Sequence, residues 1–345
     1  MNKDPSLPKG QRNASIDCFR YLFSLLVVAF HCRLFTEYSE FLAYVTAQIL
    51  ARVTVPYFFC IAGYFYLKKL HEGQNPFRSY FKHILTIYAV WSVPYYLIDI
   101  LSGEYENLRS FLRHVLRSFF IDGSCYHLWF FPALLFCVAI CTLFFRLGLK
   151  KLLIPCSLAA YLVGLMCIPY AHAAERIPFV SFLCSLPFFA QLRNVVFIGF
   201  SFFVSGYVVL LLRSHAFFRG HSELIFAASA AVWITEIVLL IHYQLCTSLA
   251  VTTGMYFLIT SLLNLLLQHP LAEKRQLGEC LRTMANFTYY SHVLFMTLLG
   301  WIAANLAGSG GLTETPLFLL TVILTSVIGF AIWKSDNRFL KKLVN

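Results

Sequence analysis

The 345-residue sequence has few charged side chains, because Asp, Glu, Lys and Arg make up only 12% of it, where soluble domains carry about 25%. It also lacks Cys-x-x-Cys and His-x-x-x-His pairs, which could hold a metal, and a Gly-x-x-x-x-Gly-Lys-Ser/Thr loop, which could hold a nucleotide phosphate. The low charge argues against a soluble catalytic domain. The missing motifs give no support for a metal site or for ATP-driven transport.

Apolar residues dominate instead, at 59% of the chain with a mean hydropathy of +0.71. A membrane-spanning helix needs roughly 20 mainly apolar residues, and about ten segments meet that length. We therefore predict an all-α polytopic membrane protein of about ten transmembrane helices, forming a single domain over residues 1–345 with a basic tail at 334–345. The predicted spans lie near 16–36, 44–67, 79–100, 127–146, 152–170, 192–212, 222–242, 249–268, 283–306 and 315–333.

Lys and Arg predict how the chain is oriented, since they concentrate in cytoplasmic loops. Of the 27 such residues, nineteen fall on the side of the N-terminus and two lie within spans. Six fall on the opposite side: Arg33, Arg109, Arg113, Arg117, Arg176 and Arg193. Both termini are therefore expected in the cytoplasm, in a multi-pass protein of the cell (inner) membrane. The net charge of +11 then indicates topology and contact with anionic lipids, not nucleic-acid binding.

The first span contains two ionisable residues that lipid disfavours, Arg20 and His31. Eleven residues at about 100° each bring them within roughly 20° of the same helix face, about 16 Å apart along the axis. Asp17 and Ser24 share that stripe. A charge at bilayer depth costs about 2.5–3.5 kcal/mol even on insertion scales, so the stripe should face protein or a water-filled cavity.

The types of these residues suggest a division of work. Arg20, near the cytoplasmic third, could hold a phosphate-bearing donor, and His31, near the outer third, could take a proton from a hydroxyl. The spacing alone equally allows a structural interpretation, in which Arg20 snorkels to the inner headgroups and His31 caps the outer helix end. Asp17 could simply pair with Arg20.

Further candidates begin the second and fourth spans at the outer side. Arg52 could lie beside His31, holding an oxyanion or tuning the imidazole, or could snorkel to the interface. His127 and Trp129 could form a wall of an acceptor entrance, or belong to an interfacial aromatic belt.

The later spans add four polar candidates. Arg193 and Asn194 open the sixth span, where an Arg opposes the helix macrodipole and needs another partner. Glu236 is a carboxylate within the seventh span, and a pair with Arg52 or Arg193 is open. His292 could serve the site, or be a core histidine bonded to a neighbouring helix.

Five segments in order resemble the acyltransferase-3 family of membrane O-acyltransferases over about residues 12–335. The first is the Arg-x₁₀-His pattern of Arg20 and His31 in the first span. The others are RVTVPYFFCIAGYF (Arg52–Phe65), YHLWFFPALL (Tyr126–Leu135), RNVVFIGFSFFVSGY (Arg193–Tyr207) and TYYSHVLF (Thr288–Phe295). The resemblance implies that Arg20 and His31 are the essential pair. It also implies acetyl-CoA or another acyl-CoA as donor and a hydroxyl of an envelope glycan or lipid-linked sugar as acceptor.

The chain also resembles the membrane half of VanT-type serine racemases. Those proteins carry a pyridoxal-phosphate racemase domain after their spans, and the sequence given ends at Asn345, so we expect no racemase chemistry from it. In that group the membrane half is associated with serine supply. Two hypotheses follow: an acyltransferase, or a transporter of a small zwitterion such as serine, for which a helix interrupted at Pro56 would be suitable.

Overall fold

A computed structural model describes residues 13–103, 105, 107–246, 248–271, 275–307 and 312–345. Within these ranges the chain is helical and contains no β-strand. Ten apolar helices coincide with the ten predicted spans, which confirms the all-α polytopic fold. We label them α1 Ala14–His31, α2 Glu40–His71, α3 Phe77–Leu101, α4 Phe130–Arg146, α5 Lys150–Cys167, α6 Phe189–Leu212, α7 Ser222–His242, α8 Thr253–Gln268, α9 Arg275–Ala307 and α10 Glu314–Lys334.

Eight of these helices are long and apolar enough to cross a membrane, while α4 and α8 are shorter, with 17 and 16 residues. The second helix is irregular where it begins. A wide turn at Val45–Leu50 and a tight turn at Ala51–Val53 precede the regular helix from Thr54. Short helices fill the connections and the tail: Leu108–Arg117, Ala171–Ala174, Pro178–Ser185, Ala216–Gly220 and Arg338–Val344.

Two compact units divide the chain. The first consists of Met1–Thr54, Val93–Tyr95 and His269–Asn345, as far as these are described, and the second of Val55–Ser92 and Tyr96–Gln268. The predicted organisation as a single domain stays a prediction, as does the cytoplasmic position of the termini.

The first unit is built on α1, α9 and α10. Hydroxyl pairs connect α10 to both neighbours: Tyr21 to Ser326 at 2.6 Å between oxygens, and Thr288 to Thr325 at 3.2 Å. In lipid such side-chain hydrogen bonds help helices to associate, because apolar burial alone gives little preference for protein over lipid.

The second unit has a core rich in aromatic rings and backbone contacts. Phe59 lies 4.5 Å from Phe130 between ring centroids, which joins α2 to α4, and Tyr66 lies 5.9 Å from Phe203, which joins α2 to α6. At the α2–α6 crossing, Gly63 lies so close to Phe203 that a Cβ would overlap the carbonyl oxygen of Phe203. Small residues thus allow the two backbones to touch.

The helix α1 ends in a Schellman motif directly after His31. The N–H of Leu34 donates to Ala29 O at 3.0 Å and the N–H of Arg33 donates to Phe30 O at 3.2 Å, which satisfies the last carbonyls. Arg33 occupies the left-handed position of this motif, with φ 54°, where glycine is usual. These two backbone hydrogen bonds, from Leu34 to Ala29 and from Arg33 to Phe30, therefore fix the backbone around His31.

The turn after α1 also holds the start of α10. Glu37 accepts a hydrogen bond from the backbone N–H of Thr315 and another from its hydroxyl, both at 2.7 Å. A carboxylate at a helix N-terminus satisfies orphan N–H groups and complements the macrodipole. The backbone hydrogen bond from Thr315 is the largest cause that lowers the pKa of Glu37 from 4.5 to about 2.

We expect Glu37→Gln to lower the thermal unfolding temperature at neutral pH. A carboxyl whose pKa is depressed in the folded protein stabilises it fully above its unfolded pKa, near 4.5, and that contribution is lost as the pH falls toward 2. The difference in unfolding temperature between wild type and variant, measured in detergent, should therefore become smaller from pH 6 to pH 2.5. Glu72→Gln, at an exposed position directly after α2, is the control. A difference that stays constant over this range would contradict the assignment.

Candidate functional site

The inner part of α1 carries the first candidate pair. The guanidinium of Arg20 donates through Nη1 to Asp17 Oδ1 at 3.1 Å, and the two side chains are 19% and 8% exposed. Gly278 of α9 lies beside Asp17, with a Cβ position 3.3 Å from its Oδ2. Among the described residues, Asp17 occupies one of the five N–H donors of Arg20, which leaves donors for an anionic ligand.

At the other end of α1, His31 meets His292 of α9. The two imidazole rings are stacked, with centroids 5.2 Å apart and an interplanar angle of 29°. His31 is half-buried and His292 is fully buried. Because α1 is an uninterrupted helix from Ala14 to His31, the eleven-residue spacing keeps Arg20 and His31 on one face, about 16 Å apart by the helical rise.

Arg52 lies in the tight turn of α2 and approaches the residue before His31. Its Cζ is 5.0 Å from the ring centroid of Phe30, and that ring makes an edge contact with His31 at 5.0 Å. Gln48 accepts from Arg52 Nε at 3.2 Å and from Nη2 at 2.6 Å. A cation over an aromatic face is attracted to the ring quadrupole, so Phe30 and Gln48 both orient the guanidinium.

The first unit therefore brings three sequence candidates, Arg52, His31 and His292, into one neighbourhood. The ring of Phe30 lies between Arg52 and His31. An imidazole suited to proton transfer and a fixed guanidinium suited to a developing negative charge occur within this neighbourhood. Phe30 and Gln48 were not predicted. The four-residue spacing from Gln48 to Arg52 is a helical contact that the sequence could have indicated.

His127 and Trp129 lie in the second unit, just before α4. The ring of Trp129 is 6.1 Å from Phe59, and the backbone of Gly123 lies so close to Trp129 that a Cβ would overlap its amide nitrogen. His127 is buried, with Tyr126 making an edge contact at 5.8 Å. Both side chains thus pack within the protein, and their roles as an acceptor wall or an aromatic belt stay predictions.

Arg193 and Asn194 do not open the sixth helix, because α6 begins four residues earlier, at Phe189. The residues lie at the start of a wide turn, Arg193–Phe200. Arg193 Nε donates to the side-chain oxygen of Asn194 at 3.1 Å. This neighbour supplies the partner that an Arg near a helix start requires.

Glu236 has partners that the sequence alternatives did not include. Its Oε1 accepts from the hydroxyl of Tyr170 at 2.5 Å and from the N–H of Thr253 at 2.7 Å, and its Oε2 accepts from the N–H of Gly254 at 2.5 Å. The carboxylate therefore caps the N-terminus of α8. The suggested pair of Glu236 with Arg193 is not present in the described part of the second unit.

The described residues contain no cluster of three or more His, Cys, Asp or Glu that could hold a metal ion. The arrangement around His31 consists of an imidazole, a guanidinium and aromatic rings. Proton transfer and charge stabilisation are the chemistry that these groups can supply.

Comparison with known proteins adds three racemases to this description. Two are amino-acid racemases of Enterococcus faecalis. One is 28% identical over 205 residues, which cover 58% of this chain and 28% of the relative. The other is 35% identical over 159 residues, which cover 45% of this chain and 22% of the relative. A serine/alanine racemase of Enterococcus gallinarum is 30% identical over 166 residues, 45% of this chain and 23% of the relative. The matched part thus spans about a quarter of each relative.

No solved structure matches the chain. The sequence pattern of the acyltransferase-3 family, described as an acyltransferase domain, matches residues 13–334. This range contains all ten apolar helices and both ends of the Arg20–His31 stripe. The chain is therefore a multi-pass membrane protein that belongs to the acyltransferase-3 family, and its similarity to racemases agrees with a membrane domain of the VanT type.

Proposed function

We propose that this protein is a membrane O-acyltransferase of the cell (inner) membrane. It transfers an acyl group, acetyl in our proposal, from a cytoplasmic acyl-CoA to a hydroxyl of an envelope glycan or lipid-linked sugar. The observation that carries the proposal is the unbroken helix α1, which presents Arg20 and His31 on one face within a chain that matches the family from residue 13 to 334.

In this reaction His31 acts as the general base. Its imidazole takes the proton of the acceptor hydroxyl, and the hydroxyl oxygen attacks the thioester carbonyl carbon. The carbon–sulfur bond then breaks, and the proton passes from the imidazole to the departing sulfur. Such proton transfer typically contributes about 10²–10⁴-fold to the rate. Arg52, oriented by Phe30 and Gln48, would stabilise the negative oxygen that develops during the attack.

Arg20 has a different role in the proposal. Its guanidinium, held at one corner by Asp17, would bind an anionic group of the donor, since a planar fork of N–H donors matches phosphate oxygens. The roughly 16 Å of helix between Arg20 and His31 suits a long, thin donor arm that enters from the cytoplasm and meets the acceptor near His31.

Transfer of label tests the proposal. The protein is reconstituted into liposomes with [¹⁴C]acetyl-CoA and envelope glycans extracted from a host that lacks O-acetyl groups. We expect alkali-labile label on the glycan fraction, because O-acetyl esters hydrolyse in base. Empty liposomes are the control. Absence of labelled glycan with folded protein, over a panel of acyl-CoA donors, would contradict the proposed activity.

Transport of a small amino acid is the second candidate, and the racemase names of the similar proteins are the observation that favours it. The irregular turns of α2 before Pro56 resemble the broken helices of transporters. Uptake of radiolabelled serine into proteoliposomes, compared between wild type and Arg20→Ala, tests this candidate. Uptake equal to that of empty vesicles would remove it.

A further inference from the structure

The stack of His31 on His292 joins a half-buried ring to a fully buried one. His31 is the last residue of α1, whereas His292 lies in the middle of the 33-residue helix α9. The mobile member of the pair is therefore expected to be His31, and the fixed member His292.

Hydrogen bonds to its own helix fix the ring of His292. Its Nδ1 lies 2.9 Å from the carbonyl oxygen of Tyr289 and 3.1 Å from that of Thr288. Carbonyl oxygens only accept, so Nδ1 carries the proton and the neutral ring has its lone pair on Nε2. This bifurcated bond sets both the tautomer and the plane of the imidazole.

The helix segment that carries His292 is itself tied to its surroundings within the first unit. Thr288 bonds to Thr325 of α10 at 3.2 Å, and the hydroxyl of Tyr95 donates to the carbonyl oxygen of Tyr290 at 2.6 Å. Two anchors within three residues make this turn of α9 a rigid support.

We propose that His292 is a positioning residue that holds the imidazole plane of His31 in the orientation needed for proton transfer. This inference rests on the proposed acyltransferase function. The rings are stacked with centroids 5.2 Å apart and an angle of 29° between their planes, so the role assigned to His292 is to restrict the tilt of His31 and not to take the proton. The edge contact of His31 with Phe30, at 5.0 Å between ring centroids, limits the remaining motion.

The expected effect follows from the geometry of proton transfer. A general base must come within about 2.6–3.2 Å of the proton donor, and a displacement of about 1 Å can cost on the order of 10² in rate. Loss of the stack should therefore lower kcat, because the base is misaligned in the step that it catalyses. The KM for acetyl-CoA should change little, because His292 has no part in the proposed donor site at Arg20.

Three variants test the inference in the labelled-transfer assay with [¹⁴C]acetyl-CoA. We expect His292→Ala to lower kcat by about 10–100-fold and to leave the KM for acetyl-CoA within about twofold. His292→Phe should restore kcat to within about threefold of wild type, because a flat ring can still stack. Ser291→Ala, a buried neighbour whose hydroxyl donates to Phe287 O of its own helix, is the matched control and should keep wild-type kcat.

The outcomes separate this inference from the function on which it rests. Wild-type kcat in His292→Ala, together with an inactive His31→Ala, would overturn the positioning role and leave the acyltransferase intact. Equal loss in folded His292→Ala and His292→Phe would also overturn it, since the ring would then not be what matters. An active His31→Ala would instead remove the function itself. If His292→Ala does not accumulate in membranes, His292→Gln, polar but without a ring, replaces it.

Discussion

Replacement of His31 by alanine should lower acyl transfer by about 10²–10⁴-fold, the typical contribution of a general base. The imidazole of His31, next to Phe30 and Arg52, is the group that the proposal assigns as the base, and alanine removes it without adding volume. The variant should reach the membrane at wild-type levels, because the Schellman motif that ends α1 uses backbone groups only. Label transferred from [¹⁴C]acetyl-CoA to glycan, per amount of folded protein, is the measurement.

His242→Ala is the matched control for this experiment. His242 is also the last residue of an apolar helix, α7, and it is exposed, with an edge contact to Tyr243 at 4.8 Å. His242 has the residue type and the helix-end position of His31, but it does not lie beside Arg52 or His292. Transfer by His31→Ala at half of the wild-type rate or more, with His242→Ala unchanged, would show that the imidazole is not the base.

Over the described residues the sequence predicts the positions and order of the apolar helices correctly, although two of the ten are shorter than a usual span, because each backbone polar group in lipid must be satisfied within its own segment. A span is therefore a local property of about 20 residues. Their ends are predicted less well. The helices α2 and α9 extend beyond the predicted 44–67 and 283–306, to Glu40–His71 and Arg275–Ala307. Hydropathy detects only the apolar part of a helix, whereas the helix continues through polar turns.

The contacts of the candidate site were less accessible to prediction. Helical spacing places Arg20 and His31 on one face and pairs Asp17 with Arg20 within one turn. The stack of His31 on His292 and the cap of Glu37 on Thr315 join residues far apart in the chain, and one sequence carries no signal for such pairs. The Schellman motif after α1 could not be predicted from the sequence, because its left-handed position is usually a glycine and here it is Arg33.

Gly206→Ala should destabilise the protein strongly, by about 3 kcal/mol or more, because overpacking against backbone exceeds the usual cost of about 1–3 kcal/mol. A Cβ at Gly206 of α6 would overlap both the carbonyl oxygen of Cys60 and the amide nitrogen of Tyr64 in α2. These two atoms are four residues apart, the spacing of a helical hydrogen bond. The added methyl would therefore overlap the backbone hydrogen bonds of α2. Backbone atoms cannot relieve the overlap by a change of rotamer.

Gly300→Ala shows what the same change does without a neighbour. Apart from its own helix backbone, no atom of the described residues lies within 4 Å of a Cβ at Gly300, inside α9, so alanine should stabilise the helix by about 0.5–1 kcal/mol through propensity alone. The two variants are compared by their thermal unfolding midpoints in detergent. Unfolding is monitored by the labelling of cysteines that are buried in the folded protein. A fall of several degrees for Gly206→Ala beside an unchanged or raised midpoint for Gly300→Ala is expected. Equal midpoints would mean that α2 and α6 do not touch at this glycine.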